Sequence, residues 1–318
     1  MTSMTPEQAA EKFAGQQLLH LDPRSERPMR TCPACASNTA TKIGIKNELE
    51  VVRCQVCGSL YCPYMPWYTS ERYYVDYYSH HGLEEPPVVT KRLMEITAEF
   101  SKYRQTNRLL DVGCGSGLLL EAARENGWDV QGVDVSISSV EHVRSLGFEV
   151  HHGELKDIQL AGEQFDVITA AEIVEHLFDP VAVLKEAYRL LRPGGLLWLT
   201  TPHANSLAAR VMKLEWRIVC PPEHLQLFSV KGLRTALRQA GFQNVRMETT
   251  GVNPAELWQG FNKQVEQTPQ KNFEALDNKF KLNEAMTQSS SRRVLKNVVN
   301  GLLTLSKLGE SLKAYAIR

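Results

Sequence analysis

The 318-residue sequence lacks net charge, because 36 lysine and arginine residues balance 36 aspartate and glutamate residues. This balance argues against a protein built mainly to hold nucleic acid. The sequence also lacks an apolar run of the roughly 18 residues that a membrane-spanning helix needs. Near its start it carries Glu7 and Glu11, where a signal peptide would be cationic and then apolar. We therefore expect a cytoplasmic protein with no transmembrane segment and no nucleic-acid partner.

Cysteine is scarce, and four of the seven cysteines fall in two short motifs. Cys32-Pro33-Ala34-Cys35 and Cys54-Gln55-Val56-Cys57 are two C-x-x-C pairs. Their spacing is typical of a four-cysteine zinc site, in which two tight turns present their thiolates to one tetrahedral ion. Disulfides are the alternative, but they need an oxidising compartment that nothing else in the sequence indicates. We predict a zinc ribbon over residues 29–66, in which the ion replaces a core that so short a segment cannot build alone.

A glycine-rich turn lies near the middle of the chain. Leu109–Val112 predict a buried strand, Gly113–Gly117 a tight turn, and Leu118–Asn126 the helix that follows. Asp134 ends the next apolar stretch, where a carboxylate can accept hydrogen bonds from both hydroxyls of a ribose. The spacing G-x-G-x-G differs from the G-x-G-x-x-G that brings a pyrophosphate to a helix N-terminus. These residues predict an adenosine site without a pyrophosphate-binding turn.

The stretch Leu110–Gly117 resembles motif I of the class I S-adenosylmethionine-dependent methyltransferases. Later segments resemble the same family in the same order. Phe165–Ile168 resembles its fourth strand, Leu191–Gly195 the turn before its fifth strand, and Leu196–Thr201 the fifth strand itself. The resemblance implies an α/β fold with a doubly wound, Rossmann-like, mostly parallel sheet and S-adenosylmethionine as the cofactor. A dehydrogenase, or another doubly wound domain with a glycine turn, is the alternative.

The resemblance also implies which residues hold the cofactor. Most of them come from the glycine turn and from the acidic residues that follow successive strands. The implied set is Asp111, Gly113, Cys114, Gly115, Gly117, Asp134, Val135, Glu154, Leu155, Ala171 and Glu172. Within it, Asp134 corresponds to the ribose acid and Glu154 to the acid on the adenine side.

The chemistry is expected directly after the predicted fourth strand. The spacing of Glu172, Glu175 and His176 predicts that all three share one face of a helix. With His224, these residues resemble the divalent-metal site of the small-RNA 3′-end 2′-O-methyltransferases, and E-x-x-E-H also occurs in ubiquinone-pathway O-methyltransferases. The resemblance implies a cation beside the acceptor, with Mg²⁺, Mn²⁺, Fe²⁺ and Zn²⁺ all compatible with these ligands.

Two other interpretations of these residues stay open. A bound cation lowers the pKa of an acceptor hydroxyl, but a histidine can remove the same proton without a metal. In that case His176 or His224 is the general base and Glu175 orients it. In the structural interpretation, Glu172 touches the cofactor and the histidines satisfy backbone groups.

Element order and composition divide the chain into six segments. These are an N-terminal helical segment (1–28), the zinc ribbon (29–66), a Tyr-rich helical linker or lid (67–105), the methyltransferase core (106–252), a C-terminal helical insertion or lid (253–310) and the last strand of the core (311–318). The second half of the insertion places apolar residues at helical spacing, which predicts a stripe that a partner surface covers.

These features predict a methyltransferase that transfers a methyl group from S-adenosylmethionine to oxygen. The expected acceptor is a small molecule, a sugar or a carrier-bound group in a biosynthetic pathway, with assistance from a divalent metal. One alternative is an RNA 3′-end 2′-O-methyltransferase that uses the ribbon for docking, which the zero net charge disfavours. Another is a non-catalytic, cofactor-binding partner subunit, which Asp111, Asp134 and Glu172 argue against. The residues do not identify the acceptor or the oligomeric state.

Overall fold

The computed structural model describes residues 30–64, 87–253 and 290–318. The predicted N-terminal helical segment lies outside these residues. Residues 67–86 of the predicted Tyr-rich linker and residues 254–289 of the predicted insertion also lie outside them.

The described residues form eleven strands and seven α-helices. The strands are β1 (Ala40–Lys46), β2 (Leu49–Cys54), β3 (Leu60–Tyr61), β4 (Arg108–Val112), β5 (Asp129–Asp134), β6 (Glu149–His152), β7 (Phe165–Ala171), β8 (Leu191–Pro202), β9 (Gln226–Leu227), β10 (Asn244–Thr250) and β11 (Ser311–Ile317). The helices are α1 (Pro87–Glu99), α2 (Leu118–Glu125), α3 (Ile137–Ser145), α4 (Pro180–Leu190), α5 (Leu207–Met212), α6 (Val230–Gln239) and α7 (Ser290–Ser306).

The larger sheet has seven strands in the order β10-β11-β8-β7-β4-β5-β6. Strands β4 to β8 pair in parallel, whereas β11 is antiparallel to both β8 and β10. Successive residues of β4 pack on opposite faces of the sheet: Leu109 belongs to a cluster with Leu120, and Leu110 to a cluster with Leu184. Helices therefore cover both faces, which confirms the predicted doubly wound, mostly parallel fold.

Capping residues explain where the core helices begin. The Ser136 hydroxyl accepts a hydrogen bond from the Ser139 amide at the start of α3, and the Asp179 carboxylate accepts one from the Ala182 amide at the start of α4. These bonds satisfy amides that the first turn of a helix leaves unpaired. The two caps therefore define where α3 and α4 begin.

The turn predicted over Leu191–Gly195 is wrong, because these residues belong to β8. Leu191 pairs with Phe165 and Leu196 pairs with Val167, so the residues between them form a bulge in the ladder. Gly194, with a φ of 78°, allows the bend. The Gly194 amide donates to the Arg318 carbonyl, so the C-terminal strand keeps the bulge in register.

The smaller sheet has four strands in the order β1-β2-β3-β9. Three of them come from the predicted zinc ribbon, but β9 comes from the predicted core. In the β3–β9 pair, Leu60 faces Leu227 and Tyr61 faces Gln226. The ribbon and the core therefore share a sheet, and the domain boundaries stay predictions.

Helix α7 contacts the sheet edge through polar bonds. The Thr304 hydroxyl donates to the Thr249 carbonyl, and the Thr249 hydroxyl donates to the Leu303 carbonyl. Val298, Leu302 and Leu305 of the predicted apolar stripe are exposed.

Across the described ranges, no helix is long and apolar enough to cross a bilayer.

Candidate active site

A cleft with about 570 Å³ of empty space, including open solvent, lies at the carboxyl ends of the parallel strands. Open α/β sheets bind ligands at this edge. Five of the predicted cofactor residues line the cleft. They are Gly113, Asp134, Val135, Glu154 and Leu155.

The glycine turn comes close to its neighbours at Gly113. This residue has a φ of 73°, and a Cβ atom there would collide with the Ile173 side chain. The Gly113 amide donates to the Val133 carbonyl over 2.7 Å, which fixes the turn against the end of β5. Glycine is therefore required both for the backbone conformation and for the space.

Asp134 connects the glycine turn to the following helix. Its carboxylate accepts hydrogen bonds from the Gly115 amide and the Ser136 amide, each at 2.8 Å. Burial raises the pKa of Asp134, although these amide donors act in the opposite direction. The position at the end of β5, on the lining of the cleft, fits a carboxylate that binds a ribose.

Asp111 is not among the residues that line the cleft. It is buried, and its carboxylate accepts a hydrogen bond of 2.6 Å from the Thr169 hydroxyl. Burial raises the pKa of Asp111 to about 7, and the charge of Asp134 contributes in the same direction. Cys114, Gly115, Gly117, Ala171 and Glu172 are also not among the lining residues. Their predicted roles in cofactor binding stay predictions.

The helix predicted over Glu172–His176 is wrong, because this segment is a turn between β7 and α4. Glu172 has a φ of 52°, which does not continue a right-handed helix, and its amide donates to the Thr200 carbonyl. The chain then closes with a 3.1 Å bond from the His176 amide to the Ile173 carbonyl. As a result, Glu172 is exposed while Glu175 is fully buried, so the two carboxylates do not share a helical face.

The turn and a distant segment together bring Glu175, His176 and His224 into one cluster. One ligand atom from each lies within 4.8 Å of the others. The Glu175 Oε1 to His176 Nε2 distance is 3.9 Å, and the Thr201 hydroxyl donates to the other oxygen of Glu175 over 2.8 Å. Glu172 lies outside this three-residue group. Burial raises the pKa of Glu175, and the nearby charge of Glu172 adds to this effect.

Backbone carbonyls orient both imidazole rings. The Nδ1 atom of His176 lies 2.7 Å from the Glu223 carbonyl oxygen, and the Nδ1 atom of His224 lies 2.7 Å from the Ile218 carbonyl oxygen. Because a carbonyl only accepts, each Nδ1 carries the proton, and each Nε2 is left as the acceptor nitrogen. This is the arrangement found in metal-binding histidines. Burial lowers the pKa of His176 to about 3, so the ring is neutral at physiological pH.

Two neighbours of His224 were not singled out from the sequence. The Cys220 thiol lies 3.4 Å from His224 Nδ1 and 3.5 Å from a Glu223 carboxylate oxygen. These three residues form a second group of metal-ligating types that shares His224 with the first. Their only sequence signal is proximity to His224 in the stretch Cys220–His224.

The four ribbon cysteines are also brought together. All four Sγ atoms lie within 4.8 Å of one another, and the Cys32–Cys57 and Cys35–Cys54 sulfur distances are both 3.6 Å. A tetrahedral zinc ion with Zn–S bonds of about 2.3 Å places its sulfurs about 3.8 Å apart, whereas a disulfide needs about 2.05 Å. The hydrogen bond between the Cys32 and Cys57 sulfurs lowers the pKa of Cys57 and raises the pKa of Cys32, so Cys57 is the first of this pair to lose its proton. The sulfur positions therefore fit a zinc ion.

Comparison with known proteins defines the class of this protein. Residues 88–247 match the family described as "Methyltransferase domain". Because the match covers half of the chain, and because the sheet and glycine turn are those of the class I enzymes, the chain belongs to the class I S-adenosylmethionine-dependent methyltransferases.

Individual relatives agree with this assignment. The chain is 33% identical over 178 residues to a protein named ubiquinone biosynthesis O-methyltransferase from Cereibacter sphaeroides, covering 50% of this chain and 72% of the relative. It is 33% identical over 183 residues to a protein of the same name from Ruegeria pomeroyi, covering 52% and 73%. A solved structure of an S-adenosylmethionine-dependent methyltransferase from Archaeoglobus fulgidus superimposes with a TM-score of 0.50 at 18% identity, covering 77% of this chain and 99% of that chain. This last comparison supports the fold alone.

Proposed function

We propose that the protein transfers the methyl group of S-adenosylmethionine to a hydroxyl oxygen of a small-molecule acceptor in a biosynthetic pathway. We further propose that Glu175, His176 and His224 hold a divalent cation beside that oxygen. The observation that carries the proposal is the position of His176, which both lines the cofactor cleft and belongs to the three-residue cluster. A group bound by the cluster therefore lies next to the cofactor site.

Methyl transfer is an in-line displacement: the acceptor oxygen forms a bond to the methyl carbon while the bond from that carbon to sulfur breaks. Alignment of the two reactants is one requirement, and removal of the hydroxyl proton is the other. A bound cation would lower the pKa of the hydroxyl. The cleft would align the reactants, since Gly113 and Asp134 line it on the expected cofactor side and His176, a member of the cluster, lines it as well.

The protonation state of His176 favours a ligand over a general base. With a pKa of about 3, the imidazole is a weak base at neutral pH, and general-base catalysis is most efficient when the pKa lies near the working pH. A neutral ring with its proton on Nδ1 is suited to bind a cation through Nε2. Two imidazoles and one carboxylate also leave coordination positions open for an acceptor oxygen, and Mg²⁺, Mn²⁺, Fe²⁺ and Zn²⁺ are the candidates.

The relatives support the choice of oxygen as the methyl acceptor. Both proteins described above are named O-methyltransferases of a biosynthetic pathway. The sequence pattern that contains Glu175 and His176 also supports oxygen as the acceptor, because it resembles the pattern of O-methyltransferases.

In the ribbon, we propose one structural zinc ion bound by Cys32, Cys35, Cys54 and Cys57. The sulfur positions support this proposal, since all four Sγ atoms lie within 4.8 Å of one another and two of the distances between them are 3.6 Å, close to the spacing around a zinc ion. A segment as short as the ribbon can bury only a small apolar core. Metal binding would therefore contribute directly to the free energy of folding of the ribbon.

The test is methyl transfer to a panel of hydroxylated aromatic compounds, followed as S-adenosylhomocysteine formation and as product mass. We expect chelator to abolish turnover while cofactor binding persists, and Mg²⁺, Mn²⁺ or Fe²⁺ to restore it. His176→Asn and His224→Asn should each reduce kcat by roughly 10²–10⁴-fold, whereas His142→Asn, on α3 and outside the cluster, should not. Full activity in chelator would contradict the cation proposal. If the parent protein were fully active in chelator while the two histidine variants were inactive, the results would support a histidine general base instead.

A further inference from the structure

The Arg30 side chain connects three parts of the molecule. Its Nε atom donates to the Cys62 carbonyl of the ribbon over 2.8 Å. Its Nη2 atom donates to the Leu225 carbonyl and to the Gln226 side-chain oxygen, each at 2.9 Å, and Nη1 lies 3.4 Å from the Phe178 carbonyl oxygen. The ribbon, the segment after His224 and the turn after His176 therefore meet at one guanidinium group.

The Gln226 side chain makes the matching connection from the other side. It is buried, and its amide nitrogen donates to the Val174 carbonyl over 2.6 Å and to the Leu177 carbonyl over 2.8 Å. The backbone adds to this connection, because the Leu225 and Gln226 amides both point to the Glu175 carbonyl, at 2.9 Å and 3.2 Å. The turn that carries Glu175 is thus bonded directly to the segment that follows His224.

The ribbon holds the same segment along its length. Gln226 pairs with Tyr61 in the β3–β9 ladder, and the Cys62 amide donates to the Leu225 carbonyl. Further along, the Ser229 hydroxyl donates to the carbonyl of Cys57, one of the four ribbon cysteines. The segment after His224 is therefore held between the ribbon and the Glu175 turn.

We propose that Arg30 and Gln226 are positioning residues that use the ribbon to hold Glu175 and His176 in register with His224. This inference rests on the proposed cation site. Glu175 and His176 come from one segment and His224 from another, so their relative positions depend on what joins the segments. A constellation of this kind must be held to within about 0.5 Å, and loss of a supporting hydrogen bond typically reduces metal affinity by roughly 10–100-fold.

The experiment measures Mn²⁺ binding by the zinc-loaded, full-length protein, with free Mn²⁺ quantified by electron paramagnetic resonance. We expect Arg30→Met and Gln226→Leu to weaken Mn²⁺ binding by roughly 10–100-fold, and Arg30→Lys to recover part of the loss. Lys231→Met is the matched control, because Lys231 also bonds the ribbon, at the Val56 carbonyl, but is exposed and away from the cluster. Zinc content and S-adenosylhomocysteine affinity should be unchanged in every variant.

The outcomes separate this inference from the function on which it rests. If Arg30→Met and Gln226→Leu retain zinc and bind Mn²⁺ as tightly as the parent protein, the positioning role is wrong. If the parent protein binds no Mn²⁺, the cation proposal fails, and the positioning role is then judged from kcat. The positioning role would be supported if kcat of the Arg30→Met and Gln226→Leu variants fell by about tenfold or more, with unchanged cofactor affinity and partial rescue by Arg30→Lys. An unchanged kcat would contradict the positioning role. If the Arg30 variants lose zinc, Gln226→Leu provides the decisive comparison.

Discussion

The imidazole rings of His176 and His224 meet edge to face, with their centroids 4.7 Å apart. His176 follows β7 and lines the cleft, whereas His224 precedes β9, the strand that joins the ribbon sheet. Their contact therefore links the cleft to the ribbon side of the molecule. Since each ring is oriented by a backbone carbonyl, neither needs a side-chain partner to present its Nε2 atom.

The first prediction concerns Asp134, which we expect to bind the ribose of the cofactor. Asp134→Ala should weaken S-adenosylhomocysteine binding by about 1.5–3 kcal/mol, the range for a lost hydrogen bond to a charged group. Titration calorimetry measures this change directly. Asp129→Ala, at the exposed start of the same strand, should bind like the parent protein. Equal affinity in the Asp134 variant would mean that the ribose is held elsewhere.

The second prediction concerns Asp111 and pH. Its pKa of about 7 in the folded protein lies above the 3.8 of an ordinary aspartate, so the unfolded chain loses this proton first as pH rises. The contribution of Asp111 to stability is therefore present below pH 4 and is lost between about pH 4 and 7. Asp111→Asn stays neutral and should gain stability relative to the parent protein over that window, by up to about 4 kcal/mol. Denaturant unfolding at pH 5 and pH 8 tests this, and a difference that does not change with pH would refute it.

The third prediction concerns the ribbon metal. Purified protein should contain about one zinc ion per chain after dialysis, and Cys32→Ser or Cys54→Ser should lose it and unfold at lower temperature. Cys62→Ala is the control, because Cys62 is a buried cysteine of the ribbon that lies outside the four-cysteine group. Metal analysis and thermal unfolding provide the two readouts. Retention of zinc by both serine variants would exclude the proposed ligand set.

The fourth prediction concerns Asp166, which joins the starts of β4 and β8. One carboxylate oxygen accepts from three consecutive amides, Gln105 to Asn107, and the other accepts from Arg192 at 2.5 Å. Burial raises the pKa of Asp166, but these donors outweigh it and hold the pKa below its usual value. The resulting stability is present above about pH 4 and is lost as pH falls through the lower pKa of the folded state.

Asp166→Asn should therefore lower the free energy of unfolding at pH 7 by about 3 kcal/mol, the scale for breaking a buried ion pair. Denaturant titrations at pH 7 and pH 3 provide the comparison. The gap between variant and parent should narrow at the lower pH, and a gap that widened on acidification would contradict the assignment.

The sequence predicted the central sheet well because its signals are local. Leu109–Val112 and the glycines after them specify a strand and a turn without reference to distant residues, and the structure has both. The helix predicted at Glu172 is wrong because its signal is ambiguous. Acids and histidines at this spacing can occur in a turn as well as in a helix, and the residue type at position 172 does not indicate the left-handed φ of Glu172.

Long-range connections were harder to predict. Strand β9 has only two residues, and it exists because β3 of the ribbon pairs with it. Nothing near Gln226 in the sequence indicates that partner. The role of Arg30 has no local signal in the sequence, because its acceptors at Cys62, Leu225 and Phe178 come together only in the folded chain. The same holds for Cys220 and Glu223.

The most direct test of the account is a crystal structure with S-adenosylhomocysteine and Mn²⁺, with diffraction data collected for manganese anomalous scattering. The account predicts a ribose on Asp134 and an anomalous peak bonded to Glu175, His176 and His224, at the side of the cleft lined by His176. A cofactor bound in the cleft with no anomalous peak at these three residues would contradict the cation site. A cofactor bound away from Asp134 would contradict the assignment of the cleft itself.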